Sequence, residues 1–201
     1  MTPLKHREIV YAIGAPESGK STYCRAFTQS ASRRLVWDPM REHRGDVVVR
    51  SAGELADAIA AARSSSAKIV YLPRTPLKTH FDHFCVGAMA WGDCTLQVEE
   101  LAAVSTPGRA CEWWGRVLRE SRHYRLRIYA TTQRPQEADK TIFGNFSRCV
   151  VFELPNENDR AYVSRALGLN AEARAALDRL QPYQFVEVEQ RGKWGVGRLV
   201  R

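Results

Sequence analysis

Apolar residues along the chain fall into short runs separated by longer stretches in which they recur every three or four positions. The short runs read as strands at 8–13, 34–38, 47–50, 68–72, 94–98, 126–130, 149–153, 184–189 and 194–200. The longer stretches read as helices at about 19–30, 51–63, 78–91, 109–121, 156–167 and 171–180. Punctuation supports these boundaries. Ser51 with Glu54 three residues on is a capping box, and Asn156 is a second N-cap. A serine run at 64–66 ends one helix, Pro73 and Pro76 close a strand, 105–108 is a polar loop, and Arg191 with Gly192 turns the last two strands. Strands that alternate with helices predict an α/β domain with a mainly parallel central sheet flanked by helices. The final pair should add to one edge of that sheet as an antiparallel hairpin.

Length and composition set the scale. The 201 residues, 44% of them hydrophobic, suit a single domain spanning 1–201 with a full core. No apolar stretch approaches the ~18 residues of a membrane span. The opening residues MTPLKHREIVY contain no apolar signal region. Neither a secretion signal nor a transmembrane segment is therefore expected. The five cysteines (Cys24, Cys85, Cys94, Cys111 and Cys149) are odd in number and scattered, which reads as buried thiols in a reducing interior. The net charge of +8 is compatible with a nucleic-acid partner but does not by itself require one.

Candidate chemistry begins at residues 14–22, GAPESGKST, which match G-x-x-x-x-G-K-[ST] between a predicted strand and a predicted helix. Gly14 and Gly19 let the backbone adopt turns that a side chain would block, so that successive N–H groups face inward. The helix that follows presents its positive end to phosphates. Gly14, Ala15, Pro16, Glu17, Ser18, Gly19, Lys20, Ser21 and Thr22 thus form a nucleotide-binding loop. Lys20 supplies a cation for the β- and γ-phosphates, Ser21 a hydroxyl for Mg2+, and Thr22 helps orient the loop or a nearby phosphate. Glu17 can direct its side chain to solvent while its N–H serves the cradle.

Two further strand ends complete the set. In CTLQVEE, 94–100, an apolar strand finishes in paired carboxylates at the sheet edge where ligands bind. Glu99 is placed to hold Mg2+ through water, and Glu100 to polarise the attacking water. In IYATTQRP, 128–135, another strand ends in polar residues, and Gln133 is placed to contact the γ-phosphate or the lytic water. ATP and Mg2+ are the expected cofactors.

The Glu99–Glu100 strand end, followed by a helix and then RHYRLRIYATTQRP at 122–135, resembles the HerA–FtsK superfamily of P-loop ATPases over about residues 8–155. The resemblance implies a RecA-like P-loop NTPase fold of the ASCE type and an oligomeric ring that moves double-stranded DNA. It matches Lys20, Ser21, Glu99, Glu100 and Gln133 to the family's catalytic positions. Glu99 departs from the pattern, which more often has Asp. The same alignment puts Arg122 at the family's arginine near a subunit boundary, with Arg119 one turn earlier as second choice. In scale the chain is similar to the small genome-packaging ATPases of tailless, membrane-containing phages and related archaeal viruses. That likeness implies a homo-oligomeric ring of five or six subunits, double-stranded DNA and a capsid or membrane vertex component as partners, and no small-molecule substrate other than ATP. It places the protein in host cytoplasm or at a virion packaging vertex. Competing readings are a Zot-like filamentous-phage assembly ATPase, which usually carries a membrane span, a small-molecule P-loop kinase with an arginine-rich lid, and a nucleotide-binding regulatory switch.

Other clusters read more plainly. His80, His83 and Cys85, with Cys94 beyond, have metal-ligand character, but the interleaved Phe81 and Phe84 suggest a helix face packed on the sheet. Trp113 and Trp114 read as a core or subunit-contact pair. Candidate DNA contacts are the helix preceded by Pro107-Gly108-Arg109, and the stretch 78–83.

Overall fold

The computed structural model describes residues 8–63, 65–75, 77–108 and 110–199. Its elements, in chain order, are β1 (Glu8–Ile13), α1 (Lys20–Thr28), β2 (Arg33–Trp37), β3 (Val47–Val49), α2 (Ala52–Ala61), β4 (Ala67–Tyr71), α3 (Leu77–Trp91) and β5 (Thr95–Val98). They continue with α4 (Glu112–Glu120), β6 (Arg127–Thr132), β7 (Arg148–Phe152), α5 (Glu157–Ala166), α6 (Ala171–Asp178), β8 (Gln184–Glu189) and β9 (Trp194–Arg198). The strands form one nine-stranded sheet in the order β3-β4-β2-β5-β6-β1-β7-β8-β9. β3 through β7 pair in parallel, and β8 and β9 add antiparallel at one edge. The α/β architecture with a terminal hairpin read from the sequence is thus the one observed.

The two faces of the sheet are covered unequally. On β1, Ile9, Tyr11 and Ile13 point into a large core with side chains from α2 through α6, including Leu55, Phe81, Trp114, Val163 and Leu177. The alternate residues Val10 and Ala12 join Tyr23 and Cys24 of α1 in a smaller cluster with Tyr129, Val150 and Phe152. A central parallel strand is buried on both faces, which is why β1 reads as a continuous apolar run rather than an alternating one. α1, the helix that follows the phosphate-type loop, therefore lies on the opposite face from the other helices.

Local signals hold in detail. Ser51 Oγ accepts from the Glu54 N–H at 3.2 Å, and the Glu54 carboxylate accepts from the Arg50 N–H at 2.7 Å. Asn156 Oδ1 accepts from the Asn158 N–H at 2.8 Å. Some boundaries differ from the sequence reading. α4 begins at Glu112 rather than near 109, and ahead of it the Ala110 N–H donates to Thr141 Oγ1 at 3.0 Å. Arg109, ahead of the helix read as a candidate DNA contact, lies outside the described residues. β6 runs on to Thr132, since Thr131 and Thr132 are buried against β1 and continue its ladder. Two short 3-10 turns, Leu101–Ala103 and Lys140–Gly144, follow β5 and precede β7.

The remaining clusters take structural places. Phe81, Phe84 and Cys85 lie in the core, and His80 Nδ1 meets the Tyr71 hydroxyl at 2.7 Å. Trp114 is buried and donates to Asp139 Oδ2 at 3.1 Å, while Trp113 is half-buried with the Arg116 guanidinium 5.1 Å over its ring.

Candidate nucleotide-binding site

All parallel strands end on one edge, and the loops after β1, β5 and β6 meet there. β5 and β6 are neighbours, and β6 pairs with β1, so Glu99, Gln133 and the 14–22 loop converge without any long excursion of the chain. The resulting cleft, about 500 Å³, is lined by Pro16, Glu17, Gly19, Lys20, Ser21, Thr22, Arg25, Met40, Glu42, Glu99, Glu100, Thr131, Gln133 and Tyr183.

The loop's shape depends on its glycines. A Cβ on Gly14 would come within 2.7 Å of both Phe152 Cβ and Ser18 Oγ. Gly19 has φ +112°, a conformation that L side chains rarely adopt. Glu17 takes φ 59° and is exposed, which supplies the reversal its neighbours need. The loop is pinned to the sheet by the Gly14 N–H to Thr132 O at 3.2 Å and the Ala15 N–H to Glu153 O at 2.9 Å. Ser18 is buried under the loop against Gly14 rather than turned into the cleft. α1 then begins at Lys20, so its first N–H groups, which no helix satisfies internally, face the cleft.

Lys20 is buried, and its ammonium donates to Ala15 O at 2.6 Å, curling over the loop. Burial pulls its pKa down, opposed by the charges of Glu100 and Glu99. Ser21 Oγ donates to Glu99 Oε2 at 3.1 Å, which brings together a hydroxyl and a carboxylate of the kind a hard cation prefers. Burial pushes the Glu99 pKa up, but hydrogen bonds from His43, Thr131 and Gln97 outweigh it, and the carboxyl sits below its ordinary value. Glu100, in a left-handed conformation at φ 51°, accepts from Thr132 Oγ1 at 3.0 Å and from the Gln133 N–H at 3.2 Å. Its pKa is raised, chiefly by burial, against the lowering effect of those two donors and of Lys20. Two adjacent carboxylates thus have opposite leanings: Glu99 is held ionised, while Glu100 is poised to take up a proton.

Lys20, Ser21, Glu99, Glu100 and Gln133 share this cleft. Arg122 does not. It is exposed in the turn between α4 and β6, ahead of the strand that Gln133 follows. Three cleft features were not read from the sequence. His43 reaches Glu99 Oε1 at 2.9 Å. Gln97, on β5 itself, donates to the same oxygen at 2.7 Å. Tyr183, at φ 64° before β8, lines the cleft beside Gly19. The alternation of polar Gln97 within an apolar strand was the one legible hint.

No family profile matches the chain. Protein P9 of Pseudoalteromonas phage PM2 is 34% identical over 144 residues, 68% of this chain, and the match spans 65% of that relative's length. The genome packaging NTPase B204 of Sulfolobus turreted icosahedral virus 2, in complex with AMPPCP, superposes with a TM-score of 0.77 at 16% identity, covering 97% of this chain and 98% of that one. VirB4 of Thermoanaerobacter pseudethanolicus gives 0.65 at 10% identity over 96% of this chain and 89% of its own. The resemblance to the HerA–FtsK ATPases is borne out by these matches in fold.

Proposed function

We propose that this chain, which carries the P-loop ATPase fold of the viral genome packaging NTPase B204, is an ATP-driven double-stranded DNA translocase that works in a homo-oligomeric ring to package a viral genome. The observation that carries the reading is the convergence of Lys20, Ser21, Glu99, Glu100 and Gln133 on one cleft at the C-terminal edge of the sheet. In this reading the 14–22 loop and the start of α1 bind the phosphates, with Lys20 exchanging Ala15 O for phosphate oxygens. Ser21 and Glu99 fit Mg2+, which when bound supplies charge neutralisation at the β- and γ-phosphates. Glu100 takes the proton of the attacking water, and Gln133 orients that water or reports an intact γ-phosphate. A ring at a capsid or membrane vertex, fed from host cytoplasm, is the setting this chemistry suits. No helix among the described residues is long and apolar enough to cross a membrane.

Two outcomes test the reading. Lys20→Ala should weaken ATP binding by roughly 10–100-fold, the worth of a charge-assisted hydrogen bond of about 1.5–3 kcal/mol. Unchanged affinity in a fluorescent-nucleotide titration would remove its basis. Double-stranded DNA of arbitrary sequence should bind, stimulate ATP turnover and be released steeply by salt, because each phosphate contact frees counterions. Turnover that answers to a small acceptor molecule and to no DNA would instead identify a kinase.

A further inference from the structure

Glu99 accepts four side-chain hydrogen bonds. On Oε1 the donors are Gln97 Nε2 at 2.7 Å and His43 Nε2 at 2.9 Å. On Oε2 they are Thr131 Oγ1 at 2.7 Å and Ser21 Oγ at 3.1 Å. A carboxylate offers about four lone-pair sites, so the group is saturated as it stands. Since an ionised carboxylate only accepts, the His43 proton lies on Nε2. Gln97 and Thr131 are fixed by their strands, and Gln97 is itself held through Oε1 by Thr28 Oγ1 at 2.7 Å. Ser21 is the one donor that nucleotide chemistry would call away.

His43 differs from the other donors in coming from a loop, and that loop is built to deliver it. Asp38, fully buried at the end of β2, accepts from the Glu42 N–H at 3.0 Å and the His43 N–H at 2.8 Å. The His43 and Glu99 side chains are 2% and 6% exposed, so the contact is shielded from bulk water. The last torsion of a glutamate is broad and only weakly self-determined. Two donors on Oε1 fix it, and with it the direction of Oε2 toward Ser21.

We propose that His43 is a positioning residue for the metal side of the cleft: by holding Oε1 it sets Oε2 against Ser21 and so sets the affinity for the divalent cation that accompanies nucleotide. This rests on the reading that the cleft binds a metal–nucleotide complex. Partners that orient a metal-side ligand typically change metal affinity ~10–100-fold when removed.

The test uses the full chain loaded with ADP and titrated with Mn2+, with free Mn2+ counted by electron paramagnetic resonance. ADP binding is measured separately in EDTA. His43→Gln keeps an amide donor at nearly full reach, and His43→Asn carries the same amide on a shorter stem. His43→Asn should lose Mn2+ affinity about 10–100-fold with ADP binding in EDTA unchanged, and His43→Gln should recover most of the loss. Parent-like Mn2+ affinity in His43→Asn would overturn the proposal. So would equal losses of Mn2+ and of metal-free ADP in both variants, which would mean that His43 merely holds its loop. A parent protein that binds no ADP even in EDTA would overturn the nucleotide reading itself, a different result from either.

Discussion

Glu100→Gln is expected to bind ATP as the parent does and to hydrolyse it about 10²–10⁴-fold more slowly. The carboxylate lies within the cleft, tied to Thr132 Oγ1 and the Gln133 N–H, so an amide of the same shape keeps its place while losing its basicity. Burial raises the Glu100 pKa, which brings it closer to neutral pH, where a general base is most effective. The acid limb of the rate profile should therefore fall at a higher pH than an ordinary carboxylate would give, and that limb should vanish in Glu100→Gln. The same shift has a sign in stability. A carboxyl whose pKa is higher folded than unfolded holds its proton more tightly in the fold. Its contribution is present below the ordinary carboxylate pKa and is lost as pH rises through the raised value. Glu100→Gln, which cannot ionise, should melt above the parent at neutral pH and level with it in acid. Turnover at the parent rate would instead make Glu99 the candidate base.

The pair Glu99–Glu100 was legible in the sequence because a strand ending in two carboxylates is a local pattern, and so was the 14–22 loop. The strands and helices were legible for the same reason: each carries its own periodicity or cap, as Ser51 and Asn156 show. What stayed hidden is non-local. His43 lies in a loop with no period, and its partner is 56 residues away, so only the adjacency of β2 and β5 reveals the contact. Tyr183 reaches the cleft because the hairpin folds back beside β7, an edge position that the alternation of 184–189 does not specify. The short turn Leu101–Ala103 has too few residues to show a pattern, yet it is where Glu100 takes the left-handed conformation, with its carboxylate accepting from Thr132 Oγ1 at the end of β6. Strand order, which decides which ends meet, is a property of the whole sheet.

Mixing Arg122→Ala with Lys20→Ala, each inactive alone, is expected to restore ATP hydrolysis. Charge spread over the γ-phosphoryl oxygens in the transition state calls for an added cation, and an arginine in that role is worth ~10³–10⁵ in rate. The chain's own cleft supplies Lys20 and, on its wall, Arg25. Arg122 cannot join it there. It precedes β6, whose last residue, Thr132, abuts the site, and the six residues of that strand put about 17–20 Å between the two ends. If Arg122 serves a nucleotide, it is a neighbour's, across a head-to-tail interface. Arg119 is the alternative, but its guanidinium folds back on its own helix, with Nη1 2.9 Å from where a Cβ on Gly115 would lie. In an equal mixture the Arg122→Ala subunit keeps a working cradle and the Lys20→Ala subunit keeps the arginine. About a quarter of randomly formed head-to-tail interfaces would then pair the two intact halves. Activity should accordingly peak near equal proportions and vanish at either extreme. Mixed rings that stay inactive at every proportion would rule out rescue in trans by Arg122, and full activity of Arg122→Ala alone would pass the role to Arg119. Recovery that follows the proportion of paired interfaces would show that hydrolysis waits on assembly, which lets one subunit's turnover be licensed by the next.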